Sequence, residues 1–115
     1  MTKRAQTKEI SSQERSEVLG GGWTYLSNHA HVLLCLARDP EIRVRDIAGL
    51  VGITERGVAR ILMDLEDSGV IEKHKTGRRN HYSMHLDSPL RHRLESHRTV
   101  GDLMRLVARS SQRRL

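Results

Sequence analysis

The most constraining feature of the chain is an apolar rhythm that stops at one glycine and restarts two residues later. Val44, Ile47, Ala48 and Val51 recur at i, i+3, i+4 and i+7, the spacing of one helical face. Gly52 follows, and glycine supplies the positive φ that a tight helical exit needs. Thr54 then offers a hydroxyl N-cap, and Val58, Ile61, Leu62 and Leu65 start a second stripe. Two short amphipathic helices, one from about Arg45 to Val51 and one over 54–68, are therefore forced to cross at a sharp turn. Neither can bury its stripe alone, so the rest of the chain must supply the core.

The remaining length limits how. The chain has 115 residues, which fits one compact domain, so a separate ligand-binding domain of ordinary size is not expected. Hydrophobic residues are 37%, below the roughly 45–50% of an average globular domain, so part of the chain is expected to be tail. There is no Phe, and Trp23, Tyr25 and Tyr82 are the only aromatic rings, so the core is aliphatic. Residues 1–22 are polar and end in Gly20-Gly21-Gly22; they read as a flexible N-terminal arm, with Ser11-x-x-Glu14 a capping start for a short helix inside it. Residues 23–108 read as the folded domain and 109–115 as a basic C-terminal tail.

Ahead of the paired helices, Ser27 to Arg38 reads as a helix ended by Asp39-Pro40. Its run Val32-Leu33-Leu34-Cys35-Leu36-Ala37 is apolar on nearly every side, which predicts a central helix or one completed by a second subunit. Ile42-Arg43-Val44 fits a short strand. After Ser68-Gly69 come two strands, Val70 to Thr76 and Asn80 to Leu86, joined at Gly77-Arg78-Arg79. On the return strand Tyr82, Met84 and Leu86 alternate with His81, Ser83 and His85, one face buried and one wet. Ser88-Pro89 predicts another short helix with Leu90 and Leu94 inward, and Thr99-x-x-Asp102 opens a last one striped by Val100, Leu103, Met104 and Val107. The class is mainly α with a small β-hairpin.

Charge is unevenly placed. The net +6 comprises +1 over residues 1–23, −3 over 24–72, +5 over 73–98 and +3 over 99–115. Lys73, Lys75, Arg78 and Arg79 fall within seven residues that contain no acid. The chain has 16 Arg and 4 Lys. Arg pairs bidentately with phosphate and guanine, but a GC-rich genome also enriches it, so location has to decide.

The two crossing helices satisfy the demands of a helix-turn-helix. Ala48 is small where the helices approach, Gly52 makes the turn, Ile53 fills the angle, and Val58 and Ile61 face back. Together with Ser68-Gly69-Val70-Ile71 and Gly77-Arg78-Arg79-Asn80-His81-Tyr82, the stretch Val44 to Leu65 resembles winged helix-turn-helix transcriptional regulators of the MarR and ArsR type, over roughly residues 24–106. The resemblance implies a winged-helix fold, binding to double-stranded DNA as a homodimer, and control of transcription.

Site residues follow from placing the second crossing helix, 54–68, in the major groove, where base edges are distinguishable. Arg56 or Arg60 would pair with guanine, Glu55 would accept from cytosine, and Ala59 would allow close approach or meet a thymine methyl. Thr54 and the first N–H groups of the helix suit a phosphate. The wing, residues 73–82, brings Lys73, Lys75, Arg78, Arg79 and Asn80 to backbone or minor groove. On this reading Arg79→Ala weakens all sequences alike. Glu55, Asp64, Glu66 and Asp67 dilute the basic signal of the helix, which keeps an RNA-binding protein and a winged-helix protein-interaction module open as alternatives.

Other chemistries find no footing. His92, Glu95 and His97, or His29 and His31, have no convincing metal-ligand spacing, so neither a metal nor a cofactor is expected. Cys35, the lone cysteine, lies in the apolar run and cannot form an intrachain disulfide, which fits a reducing, cytoplasmic setting. The triple glycine is not followed by the Lys of a phosphate loop, and no catalytic triad or paired carboxylates stand out, so no enzyme is expected. No apolar run is long enough to span a membrane, and Lys3 and Arg4 precede no signal-peptide core. Dimerisation is expected through the first and last helices. About 85 ordered residues leave little room for a large ligand pocket within one subunit, so an effector, whose identity is unknown, is expected between subunits.

Overall fold

A computed structural model describes residues 22–108. The polar arm up to residue 21, its Ser11-x-x-Glu14 capping start and the tail 109–115 lie outside the described residues. Among the described residues, four helices and one hairpin follow in the order α1 (Asn28–Arg38), α2 (Val44–Val51), α3 (Glu55–Asp67), β1 (Ile71–Thr76), β2 (Arg79–Met84) and α4 (Val100–Val107).

The centre of the domain is α1. Its N-cap Ser27 accepts from the Ala30 N–H, and it ends at Asp39, the residue before proline. Val32, Leu33, Cys35 and Leu36 are buried, and α2, α3 and α4 all pack on it. The all-round apolar helix is thus satisfied mostly within one chain, as a central helix. Val32, Ile47 and Val58 are fully buried, one from each of the first three helices. Each such side chain contributes about 1.5–3 kcal/mol by leaving water.

Two sequence expectations fail, each for a hydrogen-bonding reason. Residues 42–44 form no strand, and Val44 already opens α2. The segment does lie beside β2, where the Tyr82 N–H donates to the Pro40 carbonyl at 3.0 Å. A ladder cannot grow from that bond. Pro40 has no N–H, and the Ile42 N–H is turned back to the Asp39 carbonyl at 3.1 Å. Likewise Ser88-Pro89 opens no helix. The Ser88 carbonyl accepts from the Val100 N–H at 2.8 Å, and the Leu90 N–H donates to the Arg98 carbonyl at 2.9 Å. These bonds fold 88–99 into a closed loop with a single bridge, Pro89 to Thr99. Leu94, expected inward, is 75% exposed, and Leu86, expected on the buried face, is about half exposed.

The last helix follows its sequence signal closely. Thr99 accepts from the Asp102 N–H while the Asp102 carboxylate accepts from the Thr99 N–H, a complete capping box. Those bonds, with Arg105 at 2.8 Å, hold the Asp102 carboxyl below its ordinary pKa. Val100 and Met104 face the core.

Candidate nucleic-acid interface

The crossing of α2 and α3 is built as the sequence required. Gly52 takes φ 87°, ψ 33°, and its N–H closes the last turn of α2 onto the Ala48 carbonyl. A side chain there would be strained, which is why the apolar rhythm breaks at that residue. Ala48 is buried at the crossing, and Ile53, half-buried, packs on the core cluster. The Thr54 hydroxyl then accepts from the Gly57 N–H at 2.9 Å and starts α3.

Gly57 was not singled out from the sequence. A Cβ at that position would lie 3.3 Å from the Thr54 hydroxyl oxygen, so the bare residue lets the cap sit close. The pattern Thr-x-x-Gly ahead of an apolar stripe was the signal available.

Once α3 has turned Val58, Ile61, Leu62 and Leu65 inward, its outer face is fixed. Glu55, Arg56, Ala59, Arg60 and Met63 are all exposed, which at 100° per residue is the side away from the apolar stripe. The charge along that helix is sorted by position. Arg56 and Arg60 belong to its first half, whereas Asp64, Glu66 and Asp67 belong to its last turn, with no base among them. Asp64 is further engaged by His29 of α1, Nε2 to Oδ2 at 2.8 Å. The acids therefore do not intermingle with the arginines, apart from Glu55 in the first turn.

The hairpin pairs Ile71 with Met84, Lys73 with Tyr82, His74 with His81, Lys75 with Asn80 and Thr76 with Arg79. Directly paired residues share a face, and the face alternates along the strand. Ile71 and Tyr82 are buried, so Lys73, Lys75 and Asn80 continue the core-side face outward along the wing. Burial and the nearby Glu66 raise the Tyr82 phenol above its ordinary pKa, while a hydrogen bond with Asn80 offsets part of that rise.

Arg79 stands on the other face, with His74, His81 and Ser83. Its guanidinium donates to the Glu41 carbonyl at 2.7 Å, and the Glu41 carboxylate lies 3.4 Å from His81 Nδ1. Glu41 thus braces the wing from the α1–α2 loop, a role that sequence reading missed. Nothing in the local pattern marked it, because the contact joins residues 38 and 40 positions apart. Arg78 occupies the two-residue turn with Gly77.

Of the ten site residues expected, Thr54, Glu55, Arg56, Ala59 and Arg60 thus gather at the first half of α3. Lys73, Lys75 and Asn80 line one face of the wing, Arg78 its tip, and Arg79 the opposite face. Among the described residues no group of three or more His, Cys, Asp or Glu side chains could hold a metal ion. None of their helices is long and apolar enough to cross a membrane.

Residues 28–72 match the model of a family described as winged helix-turn-helix DNA-binding. The match runs from the start of α1 to the second residue of β1. No curated protein matches the chain. With three helices followed by an antiparallel hairpin, the fold is a winged helix-turn-helix, mainly α.

Proposed function

We propose that the protein is a sequence-specific, DNA-binding transcriptional regulator, with α3 in the major groove and the wing on backbone or minor groove. The observation that carries this reading is the exposed, acid-poor first half of α3, where Arg56 and Arg60 flank Ala59 on a helix locked to α2 by Gly52 and Thr54. Guanine O6 and N7 accept two hydrogen bonds from one guanidinium, and an alanine beside it lets the helix come close. Thr54, whose backbone opens the helix, stands where a phosphate would be drawn by the free N–H groups of the first turn. Lys73, Lys75, Arg78 and Asn80 then supply contacts that position without reading sequence. Arg79 combines a contact of that kind with its brace to Glu41.

The wider reading of MarR- or ArsR-like control fits a homodimer, since paired half-sites call for a two-fold partner. Support for the dimer comes from α4 more than from α1. Leu106 is 82% exposed and Val107 is partly so, whereas the apolar sides of α1 are largely used inside the chain. A free, buried Cys35, whose thiol burial pushes up in pKa, agrees with the reducing cytoplasmic compartment where such regulators meet DNA.

Selection from fragmented genomic DNA, followed by sequencing of the bound fragments, tests the reading. Enrichment of a common motif with two-fold symmetry supports a dimeric regulator. A protein that retains no duplex, or that binds RNA or an acidic protein instead, belongs to the alternative classes. Light scattering checks the dimer separately; a strict monomer at micromolar concentration removes it.

A further inference from the structure

A cleft of about 870 Å³ opens between the N-terminal end of α1, the last turn of α3, the 88–99 loop and α4. Its size falls inside the range of about 300–1,000 Å³ typical of small-molecule sites. The sequence left little room for a large ligand pocket within one subunit; this cleft is lined in part by Pro89, Leu90, Arg91 and Glu95 of the loop that stands where a helix was expected. Leu33, Leu65, Leu90, Val100 and Leu103 give the cleft an apolar lining.

Its charged residues run against the net charge of the chain. The chain carries a net charge of +6, yet Asp64, Asp67 and Glu95 line the cleft against one permanent cation, Arg91. Asp64 is taken up by His29, but among the described residues Asp67 and Glu95 make no ion pair. Asp64 and Asp67 also sit in the last turn of α3, where the helix dipole already places partial negative charge and a base would be the favoured residue. Acids at that end oppose the dipole, so together they deepen the negative potential. Beside them Tyr25 is 92% exposed, with its ring 4.9 Å from that of Trp23 in an edge-on arrangement. Tyr25 lines the cleft and Trp23 stands just outside it, and an aromatic face, carboxylates and an apolar lining are the combination that holds organic cations.

We propose that this cleft binds a lipophilic organic cation, one ion per chain. The apolar body of the ion would fill the space between Leu33, Leu65 and Leu90. Its positive centre would lie toward Asp67 and Glu95, with Tyr25 covering the mouth. This site is independent of the DNA-binding reading, because it takes its α3 residues from the last turn, beyond Arg56 and Arg60, and can be assayed with no nucleic acid present.

The experiment is calorimetric titration of the full chain with tetraphenylphosphonium and, separately, with tetraphenylborate, an anion of the same shape. Fluorescence of Trp23, the chain's one tryptophan, is followed in parallel. Expected are saturable binding of one phosphonium per chain, a change in Trp23 emission, and no binding of the borate. Asp67→Asn combined with Glu95→Gln should weaken phosphonium binding about tenfold, since it removes both carboxylates that would face the positive centre. Both positions are exposed, so the variant should fold; Tyr25→Ala, with a smaller loss, gives a second reading. Equal binding of the two ions, unchanged affinity in the double variant, or no phosphonium binding overturns the proposal. So does a dimer, seen in sedimentation, whose formation excludes the phosphonium, because a second copy would then be the occupant of the cleft.

Discussion

The two ends of α3 carry opposite charge and face different surroundings. The first half presents Arg56, Ala59 and Arg60 to solvent beside a tight hydroxyl cap. The last turn presents Asp64 and Asp67 to a cleft shared with α1, α4 and the 88–99 loop. In sequence the acids look like a dilution of the basic signal. In three dimensions they begin one turn beyond Arg60 and fill the last turn of the helix. A net charge of −3 over residues 24–72 is therefore the wrong summary of a helix with two separate surfaces. The position of a charge on its element decides what it can meet, and composition averages that position away.

Several substitutions sharpen the contrast or break it. The largest effect should come from the support common to both ends. Ile47 is fully buried where α2 meets α1 and α3, and Ile47→Ala should cost about 2–5 kcal/mol of stability in a denaturant titration. DNA and cation binding should then fail together, in proportion to the unfolded fraction.

Next in size, Arg60→Ala should cost about 1–3 kcal/mol of affinity for a selected duplex and relax preference at one base position. It should leave phosphonium binding alone. The reverse result, a changed cleft and unchanged DNA affinity, would break the division of the helix. Thr54→Ala touches only the first end. Loss of the cap to Gly57 should lower stability by about 0.5–2 kcal/mol, seen as a shift in the thermal midpoint.

Lys75→Ala and Arg79→Ala separate contact from support in the wing. Each should weaken all duplexes alike and reduce the slope of log affinity against log salt by about 1. Arg79→Ala should in addition raise amide exchange around Tyr82, because the brace to Glu41 is lost. Lys75→Ala should not.

The smallest effect concerns α4. The folded-state pKa of Asp102 is depressed, so its contribution to stability is fully present above the unfolded carboxylate value of 3.8. It is lost as pH falls below that value and through the folded pKa. An acid titration followed by circular dichroism should show a late loss that Asp102→Asn removes.

Much of the fold was legible because its signals are local. Helical spacing at Val44 to Val51, the stop at Gly52, the Thr54 cap and the Thr99–Asp102 capping box each act within one turn, and each reappears in the structure. The strand at 42–44 was misread because a local turn takes the Ile42 N–H to the Asp39 carbonyl, and the helix after Ser88 because distant partners decided it. Tyr82 reaches Pro40 but finds no further donor, and the bonds from Val100 to Ser88 and from Leu90 to Arg98 outweigh a proline in a favourable first helical position. The exposed face of α3 was legible from 100° geometry alone. The brace at Glu41 and the cleft were not, because both join segments far apart in sequence.

The central claim is that the first half of α3 reads base sequence while the wing only holds the backbone. The most direct test is fluorescence anisotropy with two duplexes, a selected fragment and its scrambled counterpart, at one fixed salt concentration. Wild type should discriminate between them; Arg56→Ala combined with Arg60→Ala should lose that discrimination, and Lys75→Ala should keep it at lower affinity. Discrimination that survives in the double arginine variant, or that vanishes with Lys75→Ala, would contradict the account.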